Sequence, residues 1–188
     1  LGIPVLPMMT VYDFFIKRAL DQLYYNLYWD SSFVLVGTPS GVTLAPEGGA
    51  PQSAITTSIG IELPSLHAYE PAFAQEVAWL MEEGIRGVLV PEDGFSTYLR
   101  LTTRNVDQTL ADIVRDRLGE DEWRRQAIAG GYRLLEAKDA TNLPPGSPVV
   151  NVVAVGAVVP EAIDAVRELQ REEVAANLIV VTSADRLA

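Results

Sequence analysis

Short runs of β-branched and aromatic residues alternate along this chain with longer stretches of helical periodicity, and that alternation restricts the fold more than any other feature. Phe33-Val-Leu-Val36 is a buried-strand run that stops at Gly37. The following TPSGVTLAPEGGAPQS is rich in Gly, Pro, Ser and Thr, the composition of a long loop. A short helix is expected over 54–61 and a short strand over Leu66–Tyr69. Pro71, whose fixed φ suits a first helical turn, then opens a helix over 72–83 that Gly84 is expected to stop. STYLRLTT at 96–103 has strand composition, and the polar segment 107–125 gives surface helices broken at Gly119.

Before all of these, residues 11–29 place Val11, Phe14, Phe15, Ala19, Leu20, Leu23, Leu27 and Tyr28 at three- and four-residue spacing, one buried face of a helix. After them, Gly130-Gly131 opens a second unit. It has strands expected over 132–136, 149–156 and 178–182, a proline-bearing loop over 142–148 and an amphipathic helix over 160–173. Strand and helix alternating with short connections make an α/β fold, a mostly parallel sheet with helices on both faces. The expected division is residues 1–126 as one domain, incomplete at its N-terminal side, and 127–188 as the truncated start of a second α/β domain. Two parallel strands leave edges unpaired and bury little area, so other chain segments should complete that second sheet.

Composition narrows the chemistry. The chain has 25 acidic against 14 basic residues, a formal charge of −11, which repels nucleic-acid phosphates and anionic lipid heads. It has no cysteine, which removes disulfides and thiolate chemistry and makes the cytoplasm the default location. The longest apolar stretch, 152–159, is far short of the roughly 20 residues of a membrane span. The start, LGIPVLPMM, lacks the features of a signal peptide and is read as a cut end.

Candidate site residues are few. His67 is the one histidine, so a multi-histidine metal site is excluded and any Ser-His-Asp triad would run through it. Its place near a strand and ahead of a helix suits a ligand, but a solvated or hydrogen-bonded loop histidine is the favoured reading. The glycine-rich loop from Gly37 to Gly49 has neither Walker nor GxGxxG spacing. Glu92-Asp93-Gly94 is an ordinary turn without a ligand cluster, and no metal site is expected in this chain. The aromatic group Tyr12, Phe14, Phe15, Tyr24, Tyr25, Tyr28 and Trp29 fits a core or a subunit interface better than a cofactor platform.

The order VYDFFIKRAL, FVLVGT, PSGVTLAPEGGAPQS and LPSLHAYEPAFAQEVAWLM, continued by STYLRLTTRN, GGYRLLEA and VVNVVAVGAVVPEAIDAVREL, resembles the thiamine-diphosphate-dependent transketolase superfamily. It is most similar to the homodimeric pyruvate dehydrogenase E1 component. The resemblance covers nearly all of the chain, as the later part of a pyrimidine-binding domain followed by the first part of the C-terminal domain.

It implies decarboxylation of pyruvate, or another 2-oxo acid, and transfer of the acetyl group to a lipoyl carrier on an acyltransferase. The alternatives are ketol transfer between sugar phosphates and a non-catalytic dimerisation or partner-binding domain. It also implies thiamine diphosphate and Mg²⁺ held between the subunits of a homodimer. The glutamate that protonates the pyrimidine is expected upstream of Leu1 and the metal-diphosphate motif outside this chain, so this chain alone should be inactive.

Phe14 matches the aromatic that lies against the aminopyrimidine, with Tyr12 as the competing register. In APEGGAPQS, Glu47, Gly48, Gly49 and Gln52 match or nearly match the family's loop. Pro51 stands where relatives carry a histidine, and proline supplies no proton.

Overall fold

The computed structural model describes residues 5–41, 55–63, 65–90, 94–139 and 146–187. At its centre is β2 (Val34–Gly37), four consecutive buried residues, as a strand covered on both faces requires. Parallel to it run β1 (Met8–Val11) and β4 (Ser96–Arg100), and β3 (Leu66–Tyr69) pairs with β4, giving a four-stranded, all-parallel sheet in the order β1-β2-β4-β3.

β1 corrects the helix expected from residue 11. Val11 pairs with Gly37 as the last residue of a strand, and a 3₁₀ turn at Asp13–Ala19 comes before α1 (Leu20–Tyr28). MMTV is an exposed edge and carries no alternation from which to recognise it. α2 (Ser58–Glu62) is the short helix before β3.

α3 (Ala74–Leu89) also corrects an expectation, because Gly84 does not end it. Gly84 and Gly87 both lie inside the helix, on the face against the sheet. A Cβ at Gly84 would meet Thr97 at 3.1 Å, and one at Gly87 would meet the Phe95 ring at 2.6 Å. The two glycines bring the helix close to β4 and the residue before it. The break at Gly119 does occur: with φ at +76° it separates α4 (Asp112–Leu118) from α5 (Glu120–Ala129).

The second sheet has the order β5-β7-β6, with β6 (Val149–Val155) and β7 (Ala175–Val181) parallel and joined by α6 (Val159–Arg171), and β5 (Gly131–Leu135) antiparallel to β7. The boundary expected after residue 126 falls inside α5, and one continuous core runs across it.

Trp123 is the hub of that core. It is fully buried, with its ring edge-on to Trp79 at 4.8 Å, Phe73 at 6.1 Å and Tyr132 at 6.2 Å. Its indole N–H donates to Glu76, a buried carboxylate that also accepts the Ala72 and Phe73 amides at the start of α3. A charge without water needs several donors, so Glu76 ties α5 to α3. Among the described residues no helix is long and apolar enough to cross a membrane.

Gly87→Leu should lower the unfolding free energy by about 1–3 kcal/mol in urea denaturation, the usual cost of overpacking, although leucine is the better helix former. Unchanged stability would mean that α3 does not need the close approach.

Candidate functional site

The site is built where β1, β2 and β4 end, the edge at which parallel sheets carry ligands. Three residues after β1's Thr10, the chain buries a charge: Asp13 is fully inaccessible. It accepts the Thr56 hydroxyl at 2.5 Å and the Tyr98 hydroxyl, together with two Arg100 N–H groups at 3.3 and 3.1 Å. Arg100, 3% exposed at the end of β4, gives its remaining terminal nitrogen to Glu70, the residue after β3. Gly37 makes room, since a Cβ there would lie 2.7 Å from Asp13 Oδ1 and 2.9 Å from the Tyr98 ring.

The carboxylates flank one guanidinium whose planar fork suits two acceptors at once. Burial pushes the Glu70 carboxyl above its usual range, with Arg100 pulling the other way. Burial, reinforced by Asp13, holds the Tyr98 phenol far above its usual range, so it stays a neutral donor.

With Asp13 locked inward, its neighbours are turned outward. Tyr12, Phe14 and Phe15 are 52%, 37% and 42% exposed. Their rings meet edge to face, Tyr12–Phe15 at 6.2 Å and Phe14–Phe15 at 5.7 Å, and Lys17 Nζ sits 5.3 Å from the Phe14 centroid. The result is an aromatic ledge at the sheet's C-terminal edge, with ring surface available to a flat heterocycle or to another protein chain.

The structure therefore brings Phe14 and Tyr12 together on one ledge. Glu47, Pro51 and Gln52, like Glu92 and Asp93, lie outside the described residues. His67 is elsewhere: it is half-buried within β3, stacked on Phe95 at 4.1 Å, with Nε2 3.2 Å from an Arg186 nitrogen. None of those contacts is a ledge residue. Burial, then Arg186, holds its pKa below the ordinary value. Among the described residues no group of three His, Cys, Asp or Glu side chains could hold a metal.

Asp13, Glu70, Tyr98 and Arg100 were not singled out from the sequence. The available signal was Arg100, a lone cation in the strand-like run STYLRLTT. A charge in a strand buried on both faces demands a partner.

No protein-family profile matches the sequence, and no curated protein does. Solved transketolases match the fold. A Pichia stipitis transketolase variant in complex with fructose 6-phosphate superposes with TM-score 0.73 and 18% identity, over 95% of this chain and 23% of that one. The Leishmania mexicana transketolase gives 0.71 and 17%, over 97% and 24%. A split-gene transketolase described as an inactive β4 tetramer gives 0.61 and 17%, over 95% and 49%.

The fold is thus the transketolase type, and this chain spans about a quarter of the length of the first two proteins.

Two outcomes test the geometry. Asp13→Ala should cost about 3–5 kcal/mol, because it removes one of the two carboxylates on the buried Arg100 and the acceptor of the Tyr98 hydroxyl; a loss under about 1 kcal/mol would show that water reaches the guanidinium. For His67 the folded pKa lies below the unfolded value of about 6.5. The unfolded chain therefore takes up the proton first, and His67's contribution is present above that pH and lost as pH falls below it. Thermal melts from pH 8 to 5 should show a smaller acid loss in His67→Gln than in the parent.

Proposed function

We propose that this chain is the pyrimidine-facing part of a thiamine-diphosphate-dependent enzyme, acting as a 2-oxo-acid dehydrogenase component of the E1 type. The observation that carries the cofactor reading is the aromatic ledge, held at the carboxyl edge of a transketolase-type sheet by the buried Asp13–Arg100 pair. When bound, thiamine diphosphate supplies the electron sink for cleavage next to a carbonyl.

The residues here fit one end of that cofactor. Phe14 would lie against the aminopyrimidine, Tyr12 and Phe15 would border it, and Asp13 would keep the ledge in place. The diphosphate and its Mg²⁺ call for ligands beyond the described residues. Glu47 and Gln52 are proposed to approach the same ring on the sequence resemblance alone.

A homodimer goes with this reading, because a cofactor on an open ledge needs a second surface to exclude water. Tyr24, Tyr25 and Tyr28 on α1 and Trp29 just after it, 48% to 78% exposed, supply apolar area for such a contact. The substrate is proposed to be pyruvate and the acceptor a lipoyl group on an acyltransferase, because the collinear sequence order follows the homodimeric E1 component. Ketol transfer between sugar phosphates is the second reading, favoured by the match to a transketolase crystallised with fructose 6-phosphate.

Thiamine diphosphate with Mg²⁺ should be titrated calorimetrically into this chain and into a form extended upstream. Binding is expected in the extended dimer, and Phe14→Ala should weaken it up to about tenfold, the equivalent of a lost aromatic contact of roughly 0.5–1.5 kcal/mol. Absence of binding in the extended form would refute the cofactor reading. If the cofactor binds, pyruvate-dependent reduction of an artificial acceptor supports the E1 activity, and ketol transfer from fructose 6-phosphate without it overturns that assignment.

A further inference from the structure

Five strands from two sheets end at one cleft. β2 is followed there by Gly41, β3 by Glu70, β6 by Gly156 and β7 by Asp185, while β4 contributes Arg100, its last residue. The cavity holds about 450 Å³, within the roughly 300–1,000 Å³ of small-molecule pockets. Crevices at the carboxyl ends of parallel strands are where α/β sheets hold ligands, and here both sheets contribute to a single crevice.

Glu70 stands between the sheets. Its backbone N–H donates to the Thr182 carbonyl at 2.7 Å, and its Oε2 accepts from Arg100. The other oxygen, Oε1, faces the two glycines: a Cβ on Gly156 would lie 3.0 Å from it and one on Gly41 3.9 Å away. Both glycines have positive φ, +57° and +85°, a conformation that disfavours side chains. Loops from different sheets therefore approach this oxygen with residues that carry no side chain.

Among the described residues that line the cleft, carboxylates outnumber cations. Arg100 is shared between Glu70 and the buried Asp13, and Asp185 adds a third carboxylate to the same wall. Arg104 reaches the rim through the Ala157 carbonyl and is paired with Glu161. Ile61 and Val158 give the cavity apolar surface.

We propose that this inter-sheet cleft binds a small organic cation, a primary ammonium on a short hydrocarbon arm, with its N–H donating to Glu70 Oε1 and the arm against Ile61 and Val158. This goes beyond the cofactor reading and does not rest on it. Burial raises the Glu70 carboxyl pKa, so affinity rises with pH as that group ionises.

The test is titration of n-butylammonium into the chain, followed by the backbone amide signals of Gly41 and Gly156 in NMR spectra, with n-butanol and butyrate as comparators. Saturable shifts are expected with the ammonium and at least tenfold weaker binding of both comparators. Glu70→Gln should weaken ammonium binding at least tenfold, and Ile61→Trp, at an exposed rim position, should block it while leaving the melting temperature near the parent's. If Glu70→Gln does not fold, Ile61→Trp and the comparators decide. No saturable shift, equal binding of butanol, or full binding by Ile61→Trp would overturn the proposal.

Discussion

Arg100 is a cation at the end of a strand buried on both faces, and the arrangement of the first sheet depends on how it is neutralised. Leaving a guanidinium there unpaired would cost several kcal/mol. The chain answers with Asp13 from the turn after β1 and Glu70 from the turn after β3, so three strand ends are tied to one group. Such a pair adds little net stability relative to a well-packed apolar replacement. What it does here is fix geometry: it makes Asp13 face inward and so turns Tyr12, Phe14 and Phe15 outward.

The same guanidinium links two surfaces of different character. On the Asp13 side is a ledge of exposed rings next to Lys17 and Arg18. On the Glu70 side is a cleft in which carboxylates outnumber cations among the described lining residues, bordered by the ends of β6 and β7. Glu70 belongs to both sheets, through Arg100 on one and the Thr182 carbonyl on the other.

Much of this fold was legible in the sequence because its strands are short, β-branched and bounded by glycine or proline. β3 occurs where expected, and β2, β4, β6 and α6 lie within a few residues of their expected positions. β1 was not legible, since four exposed residues at a sheet edge have no alternation to reveal them. Gly84 misled because a glycine that ends a helix and one that lets a helix touch a sheet look alike until Thr97 is seen against it. The ledge was half legible: Phe14 and Tyr12 are singled out by resemblance, whereas nothing local marks Asp13, between them, as buried. Its partner is 87 residues away, and a pairing at that separation leaves no local pattern.

The central claim is that the Asp13–Arg100 lock presents Phe14 to a planar heterocycle. The most direct measurement is a crystal structure of the cofactor-binding form, grown with thiamine diphosphate and Mg²⁺. The account predicts the aminopyrimidine ring against Phe14, with ring centroids about 4.5–7 Å apart and Asp13 still joined to Arg100. A bound cofactor with its pyrimidine elsewhere, and the Phe14 ledge covered only by protein side chains, would contradict it.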